Sequence, residues 1–121
     1  MNLKITLGEI LEIVPVLSQI STIQFKGAIS FKLSRLISIL EKELALLQEE
    51  KNKIIKKYYN DSHSELDTEM QEKFKNEVNE LLETVIHLEV VPVPEEAFYQ
   101  VALSARQASI FDRIIEKTPL V

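Results

Sequence analysis

The feature that most constrains this chain is a long amphipathic stretch from about Lys26 to Tyr59. Its apolar residues recur mostly at steps of three and four, and the repeat is interrupted only at Lys51. Such spacing predicts one helix over residues 26–59 with a coiled-coil-like stripe along one face. The helix would be roughly 50 Å long at about 1.5 Å per residue, so its two halves must pack on different partners. The stripe consists of Ile29, Leu33, Leu36, Leu40, Leu44, Leu47, Ile54 and Tyr58.

A second apolar line broadens the first half of this helix beyond what one neighbouring helix would cover. A short first helix carrying Pro15 would leave part of that line exposed, which predicts self-association into a homo-oligomer. A basic cluster then closes the helix. The predicted interaction surface combines the apolar line Phe31, Ile37, Ile39 and Leu46 with Lys53, Lys56 and Lys57.

A polar loop and a second helix follow the long helix. Thr68 and Gln71 have the spacing of a capping box and predict a partner helix over residues 68–84. The short connection favours an antiparallel hairpin, and lysines at the end of the long helix face glutamates of the partner helix. We expect Phe74, Val78 and Leu81 to pack against Leu47, Ile54 and Tyr58, with Met70 and Leu82 also facing inward.

The ends of the chain contain the expected β structure and two short helices. Residues 2–6 alternate as in a strand, and residues 85–91 are rich in β-branched residues, so we expect the two strands to pair. Thr6 and Glu9 form a capping box for a first helix, followed by a connection over 18–24. That helix should bury Ile10, Ile13, Val14 and Leu17, with a kink or an early end at Pro15.

Ser104 and Gln107 form another capping box, which predicts a last helix. Its apolar side would consist of Ala108, Phe111, Ile114 and Ile115. The prediction is a single helical domain over 1–121. Its fold class is mainly α, with a long-helix antiparallel hairpin, short terminal helices and a minor two-stranded β element.

Composition argues against several kinds of chemistry. The 121 residues include no cysteine, which removes thiolate nucleophiles and cysteine metal sites, and only two glycines, too few for a phosphate-binding loop. The net charge of −5 argues against nucleic acid as the main partner. No apolar run reaches the ~20 residues of a membrane span, and no signal-peptide pattern is present, so a cytoplasmic protein is expected.

Histidines and carboxylates do not assemble into a predicted site. His63 lies near Asp61 and Glu65 in a polar loop, an arrangement more typical of a solvated turn than of an ion site. His87 is expected to be an exposed strand residue, and Glu80 and Glu83 are separated from it by a break between elements. We therefore predict no catalytic, cofactor-binding or metal-binding residue and no enzymatic activity.

The order of segments resembles a family of short uncharacterised proteins encoded by bacteriophages and prophages. The resemblance covers roughly the first ninety residues, except that this family usually has a proline where this chain has Ile23 to Gly27. It implies a viral or prophage origin and a non-enzymatic role. Its segments are Leu3 to Leu7, Glu9-Ile10, Pro15 to Leu17, Lys42 to Leu44, Glu49 to Lys51, Lys56 to Tyr58, and Glu77 to Leu82 before a valine-rich strand with prolines.

Two functions remain in competition. The first is a phage-encoded protein acting through protein–protein interaction, as a virion or assembly component or as a modulator of a host factor, located in the virion or the host cytoplasm. The alternative is a nucleic-acid-binding accessory protein using the basic end of the long helix, Lys51 to Tyr59, with Lys26, Lys32 and Arg35.

Overall fold

A computed structural model describes residues 2–59, 68–99 and 101–116 of the chain. The predicted fold class is confirmed, because helices dominate and one small antiparallel sheet joins the N-terminal strand to the strand after the hairpin. The elements are β1 (Asn2–Thr6), α1 (Leu7–Ile20), α2 (Gly27–Tyr58), α3 (Thr68–Leu82), β2 (Val85–Glu89), β3 (Val93–Pro94), a 3-10 turn (Glu95–Phe98), α4 (Ala105–Asp112) and β4 (Ile115–Glu116).

The predicted pairing between the N-terminal strand and the strand after the hairpin is confirmed. β1 and β2 are antiparallel, with Leu3 opposite Leu88 and Ile5 opposite Ile86. Leu3 and Ile5 point into the core, so alternation along β1 separates a buried face from a solvated one. β2 ends at Glu89 rather than at Val91, because the register ends where Asn2 pairs with Glu89.

The capping box at the start of α1 forms as predicted. The Glu9 N–H donates to Thr6 Oγ1 at 3.1 Å, and the Thr6 N–H donates to Glu9 Oε1 at 2.9 Å. The helix nevertheless continues through Pro15 to Ile20, so the predicted connection starts three residues later than expected. Pro15 lies on the exposed side, where water can satisfy the Leu11 carbonyl that lost its donor, and the fully buried Ile20 anchors the last turn.

α2 spans Gly27–Tyr58, within one residue of the predicted bounds at each end. Its two halves pack on different neighbours, the first on α1 and the second on α3. The predicted stripe faces those neighbours: its buried members are Ile29, Leu33, Leu36, Leu40, Leu47 and Tyr58, whereas Leu44 and Ile54 are half-buried.

α3 runs antiparallel to the end of α2, but its predicted inward face is only partly covered. No residue of α3 is buried, and Phe74, Val78, Leu81 and Leu82 are all half-buried. The Phe74 ring lies edge-on to the Tyr58 ring at 5.8 Å between ring centres. Phe74 thus packs against Tyr58 as predicted, but the inward face of α3 is covered less than expected, because α3 packs mainly on the end of α2 and the start of α1. His63 and its loop lie outside the described residues.

The C-terminal segment closes the core from the other side. Ser104 and Gln107 form the predicted capping box, and Ile110, Phe111 and Ile114 are buried. The helix ends at Asp112, however, so Ala108 is exposed and Ile115 enters a strand instead of continuing an apolar side. The chain turns there because the Val93 N–H donates to the Ile114 carbonyl at 3.0 Å, which starts the parallel pairing of β3 with β4.

Candidate protein-binding surface

One flank of α2 carries large apolar side chains in solvent. Phe31 is 62% exposed and Leu46 is 56% exposed. They lie fifteen positions apart on one continuous helix, a span of about 22 Å. Both fall outside the buried stripe of α2, which faces the core. The other large apolar residues of α2 are buried or half-buried, whereas Phe31 and Leu46 face solvent.

The four predicted apolar residues do not share one line. Ile37 and Ile39 are both half-buried, and residues two positions apart on a helix differ by about 200° around its axis, so they fall on opposite flanks. Ile39 and Leu46, seven positions apart, share a flank with Phe31, whereas Ile37 lies on the other side of the buried stripe. The surface therefore excludes Ile37. Residues two positions apart, such as Ile37 and Ile39, share a face on a strand but not on a helix.

Basic side chains interleave with the apolar ones on that flank. Arg35 and Lys42 are both exposed, and the Arg35 guanidinium lies 5.7 Å from the centre of the Phe31 ring. We name this flank the outer stripe and define it as Phe31, Arg35, Ile39, Lys42 and Leu46, with steps of four, four, three and four. The sequence indicated Arg35 only as a contact for nucleic acid, and it did not indicate Lys42 as a residue of a binding surface.

The lysines at the end of α2 are exposed but partly engaged. Lys53 Nζ lies 3.0 Å from Glu50 Oε1, and Lys57 Nζ lies 2.7 Å from Glu77 Oε1. Each hydrogen bond raises the pKa of its lysine, and the Lys57 contact lowers the pKa of the Glu77 carboxyl. Lys56 is also exposed. Since neighbouring carboxylates neutralise two of these three lysines, the basic end is a poor match for a phosphate backbone.

A groove on the opposite flank of α2 was not predicted. It has a volume of about 350 Å³ and lies where α1 and α3 approach α2. Leu11, Leu44, Leu47 and Leu82 provide its apolar walls, and Lys51 lies at one end. The one sequence feature that could have indicated this groove is Leu11, an apolar residue that directly follows Ile10 and lies outside the predicted buried face of the first helix.

Two ion pairs tie α1 to the C-terminal segment. Arg113 pairs with Glu9 and also donates to the Lys4 carbonyl at 3.1 Å, while Arg106 pairs with Glu12. The Arg113 guanidinium lowers the pKa of Glu9, although partial burial of the carboxyl opposes the shift. Because Glu9 also caps α1, this contact is a structural latch that connects the two ends of the domain.

The described part of the chain contains no group of three or more metal-ligating side chains. His87 is exposed on β2 opposite Lys4, and Glu80 and Glu83 are exposed at the end of α3 and just after it. Among the described helices, none combines the length and the apolar character needed to cross a bilayer. The comparisons add no relative, since no protein family, curated protein or solved structure matches this chain.

Proposed function

We propose that this chain is a non-enzymatic, phage-encoded protein that acts by binding another protein through the outer stripe of α2. The observation that carries the proposal is the exposure of Phe31 and Leu46 on a helix whose other large apolar residues are buried or half-buried. Exposed apolar side chains that follow one another along a single face mark interaction sites, whereas scattered ones need no explanation. The half-buried Ile39 lies between them on the same flank.

The composition of the stripe supports a protein partner. Aromatic residues and arginine are enriched at interfaces, and a phenylalanine stacked with an arginine combines both at one end of the stripe. The opposite face of the same helix segment is buried in the core through Ile29, Leu33 and Leu36. The stripe is therefore displayed on the best-packed part of the molecule, which lowers the entropy lost on binding.

The phage origin rests on the resemblance of segment order described above, and two roles follow from it. A virion or assembly component would copurify with particles, whereas a modulator of a host factor would act in the host cytoplasm. Mass spectrometry of purified virions and capture from host lysate separate these roles, since a virion component appears in the first sample and a modulator retains a partner only in the second.

The deciding experiment is capture with matched variants. The double variant Phe31→Ala, Leu46→Ala removes the exposed apolar groups, and Tyr99→Ala removes an exposed aromatic ring elsewhere on the surface. We expect a partner that the unmodified protein and Tyr99→Ala retain and that the double variant loses. If the double variant captures the same proteins, the outer stripe is not the binding surface, and absence of any partner from both samples overturns the proposed function.

A second copy of this chain is the other partner predicted for this surface. A homo-oligomer through the stripe would show a light-scattering mass above the 13.9 kDa of one chain, and the double variant would return to that mass. A monomer mass at high protein concentration would count against it.

The nucleic-acid alternative is tested at low salt, where phosphate contacts are strongest. It predicts a complex at micromolar protein that Lys53→Ala and Lys56→Ala weaken and that added salt dissociates. No complex under these conditions would dispose of this alternative.

A further inference from the structure

We propose that a second copy of this chain adds its own β2 to the outer edge of β2, the edge that faces away from β1, in an antiparallel ladder centred on His87. This pairing goes beyond the proposed function, because it uses the sheet and not the outer stripe of α2. Each copy would contribute two strands, so the two small sheets would merge into one sheet of four strands. Three features of β2 support the pairing: the direction of its backbone groups, the cover on its inner face and the charges along its edge.

The first feature is the direction of the backbone groups. The Leu7 N–H donates to the Thr84 carbonyl at 3.1 Å, which makes these two directly opposite residues a hydrogen-bonded pair. Such pairs alternate with non-bonded pairs along antiparallel strands, and the register continues without a break through β1 and β2. Val85 and His87 therefore belong to non-bonded pairs, and their N–H and C=O groups point away from β1, toward the outer edge.

The two edges of the sheet differ in how these outward groups are satisfied. On the outer edge of β1, the Thr6 N–H donates to Glu9 Oε1 at 2.9 Å, and the Lys4 carbonyl accepts from Arg113 at 3.1 Å. On the outer edge of β2, the two outward-pointing residues have no such partner within the part of the chain that the structure describes. An open row of backbone donors and acceptors is a template for another strand, so the occupant of this edge is an extended segment.

The second feature is the inner face of the sheet. Leu3 and Ile5 on β1 are buried, whereas Leu88 and Ile86, which lie directly opposite them on β2, are half-buried. The apolar face of the sheet therefore extends beyond the part that the core covers, toward the outer edge. In an antiparallel ladder centred on His87, Ile86 of each copy lies opposite Leu88 of the other, so the half-covered side chains cover one another.

The third feature is the charge along the edge, which lets β2 pair with itself at neutral pH. Val85 would lie opposite Glu89 of the second copy, which keeps the two glutamates about 14 Å apart at about 3.4 Å per residue. Natural edge strands often exclude a second copy with a lysine or a proline, and β2 contains neither. At the centre, His87 would face its own copy, and a histidine changes charge between about pH 8 and about pH 5.

The same arrangement predicts that acid separates the two copies. Two protonated imidazoles would lie directly opposite each other, and like charges in that position destabilise a sheet. The charged groups around His87 are Lys4 directly opposite on β1, Arg113 beyond Lys4, and Glu89 two residues along the same face of β2. The two cations add to the repulsion and the glutamate offsets part of it. We expect the dissociation constant of the dimer to rise at least about tenfold from about pH 8 to about pH 5.

Light scattering of the full-length protein over a range of concentrations tests the pairing. At about pH 8 the mass should rise from the 13.9 kDa of one chain toward twice that value, and at about pH 5 it should return to one chain. His87→Asn is neutral at both pH values, so it should associate at both. His87→Lys is charged at both, so it should stay a monomer. Circular dichroism shows whether both variants are folded, which we expect because the His87 side chain is exposed.

Two further measurements locate the contact at the backbone of β2. The amide protons of Val85 and His87 should exchange more slowly in concentrated than in dilute protein, because the ladder of the dimer would bond them. His87→Pro removes an outward N–H that takes no part in the pairing with β1, so this variant should fold and should fail to associate.

The outcomes separate this inference from the proposed function. A monomer mass at every concentration at about pH 8 overturns the inference, and so does a His87→Lys variant that still associates. If Phe31→Ala with Leu46→Ala abolishes association while His87→Lys retains it, the copies meet through the outer stripe and the inference is wrong. Slower exchange at the edge only in the presence of a captured partner would assign the edge to an extended segment of that partner and would also overturn it. Because His87→Lys leaves the outer stripe unchanged, capture from lysate with this variant tests the proposed function independently.

Discussion

The two halves of α2 lie in very different surroundings. Between Ile29 and Leu47, α2 packs into a core where Leu36, Leu40, Ile13 and Phe111 are fully buried. Beyond Leu47 its main neighbour is α3, which buries none of its own residues. One continuous helix thus connects a closely packed domain to a hairpin that is open to water on one side.

The difference shows where the stability of this protein comes from. Each fully buried aliphatic or aromatic side chain contributes about 1.5–3 kcal/mol by leaving water, and such residues are concentrated in the first region. In the hairpin, the edge-on rings of Tyr58, Tyr59 and Phe74 and a hydrogen bond from the Tyr58 hydroxyl to Glu77 at 2.9 Å supply the contacts instead. Regions with few buried apolar contacts open at lower free energy than the global unfolding.

The largest expected effect comes from removing a ring of the core. Phe111→Ala deletes a fully buried side chain that stacks on Phe98 at 4.8 Å between ring centres. We expect the free energy of unfolding to fall by about 3–5 kcal/mol, because burial is lost and a cavity remains. Urea denaturation monitored by circular dichroism measures this loss, and a change under about 1 kcal/mol would contradict the packing of α4 on the core.

The same substitution in the hairpin should cost less. Phe74 is half-buried against Tyr58 and Tyr59, so Phe74→Ala should lower the free energy of unfolding by about 2 kcal/mol rather than the 3–5 kcal/mol of full burial. Amide hydrogen exchange should accelerate in α3 and at the end of α2 while α1 stays protected. Equal acceleration in both regions would mean that the hairpin and the core unfold as one unit.

A smaller effect is expected at the latch between Glu9 and Arg113. Glu9→Gln keeps an acceptor for the capping box but removes the ion pair, and the loss should be about 1 kcal/mol at neutral pH, since the Arg113 side chain is 39% exposed. Arg113 lowers the pKa of Glu9 in the folded protein, so this contribution is present above the ordinary carboxyl pKa and is lost as pH falls through the lowered pKa.

Chemical denaturation at a series of pH values checks the sign of this contribution. The curves for the unmodified protein and for Glu9→Gln should differ at pH 7 and converge in acid, once Glu9 is protonated in both the folded and the unfolded chain. A difference that grows toward acidic pH would mean that the charged form of Glu9 destabilises the fold.

The smallest effect is expected on the outer stripe. Phe31→Ala and Leu46→Ala should each change the free energy of unfolding by less than about 0.5 kcal/mol, because both side chains already face solvent. Leu36→Ala, on the buried side of the same helix segment, is the matched control and should cost about 2–5 kcal/mol. A large loss for Phe31→Ala would contradict the exposure of this ring.

Local rules predicted much of the fold. The capping boxes at Thr6 and Ser104, the bounds of α2 and the strand character of β1 and β2 depend on short-range spacing and on alternation, which the sequence displays directly. The extension of α1 through Pro15 was not predicted, because the missing hydrogen bond matters little where water reaches the Leu11 carbonyl. Of the residues predicted for the candidate surface, Phe31 and Leu46 are exposed, whereas the helix turn places Ile37 on the other flank.

The sequence by itself determined which residues can form helices and strands, because caps, turn residues and apolar periodicity act within a few positions of one another. Only the tertiary structure decided which apolar faces are covered. Phe74 and Phe111 look alike in their amphipathic segments, yet one is half in water and the other is enclosed, because burial depends on how many other elements pack on a face. The same dependence left Phe31 and Leu46 in solvent.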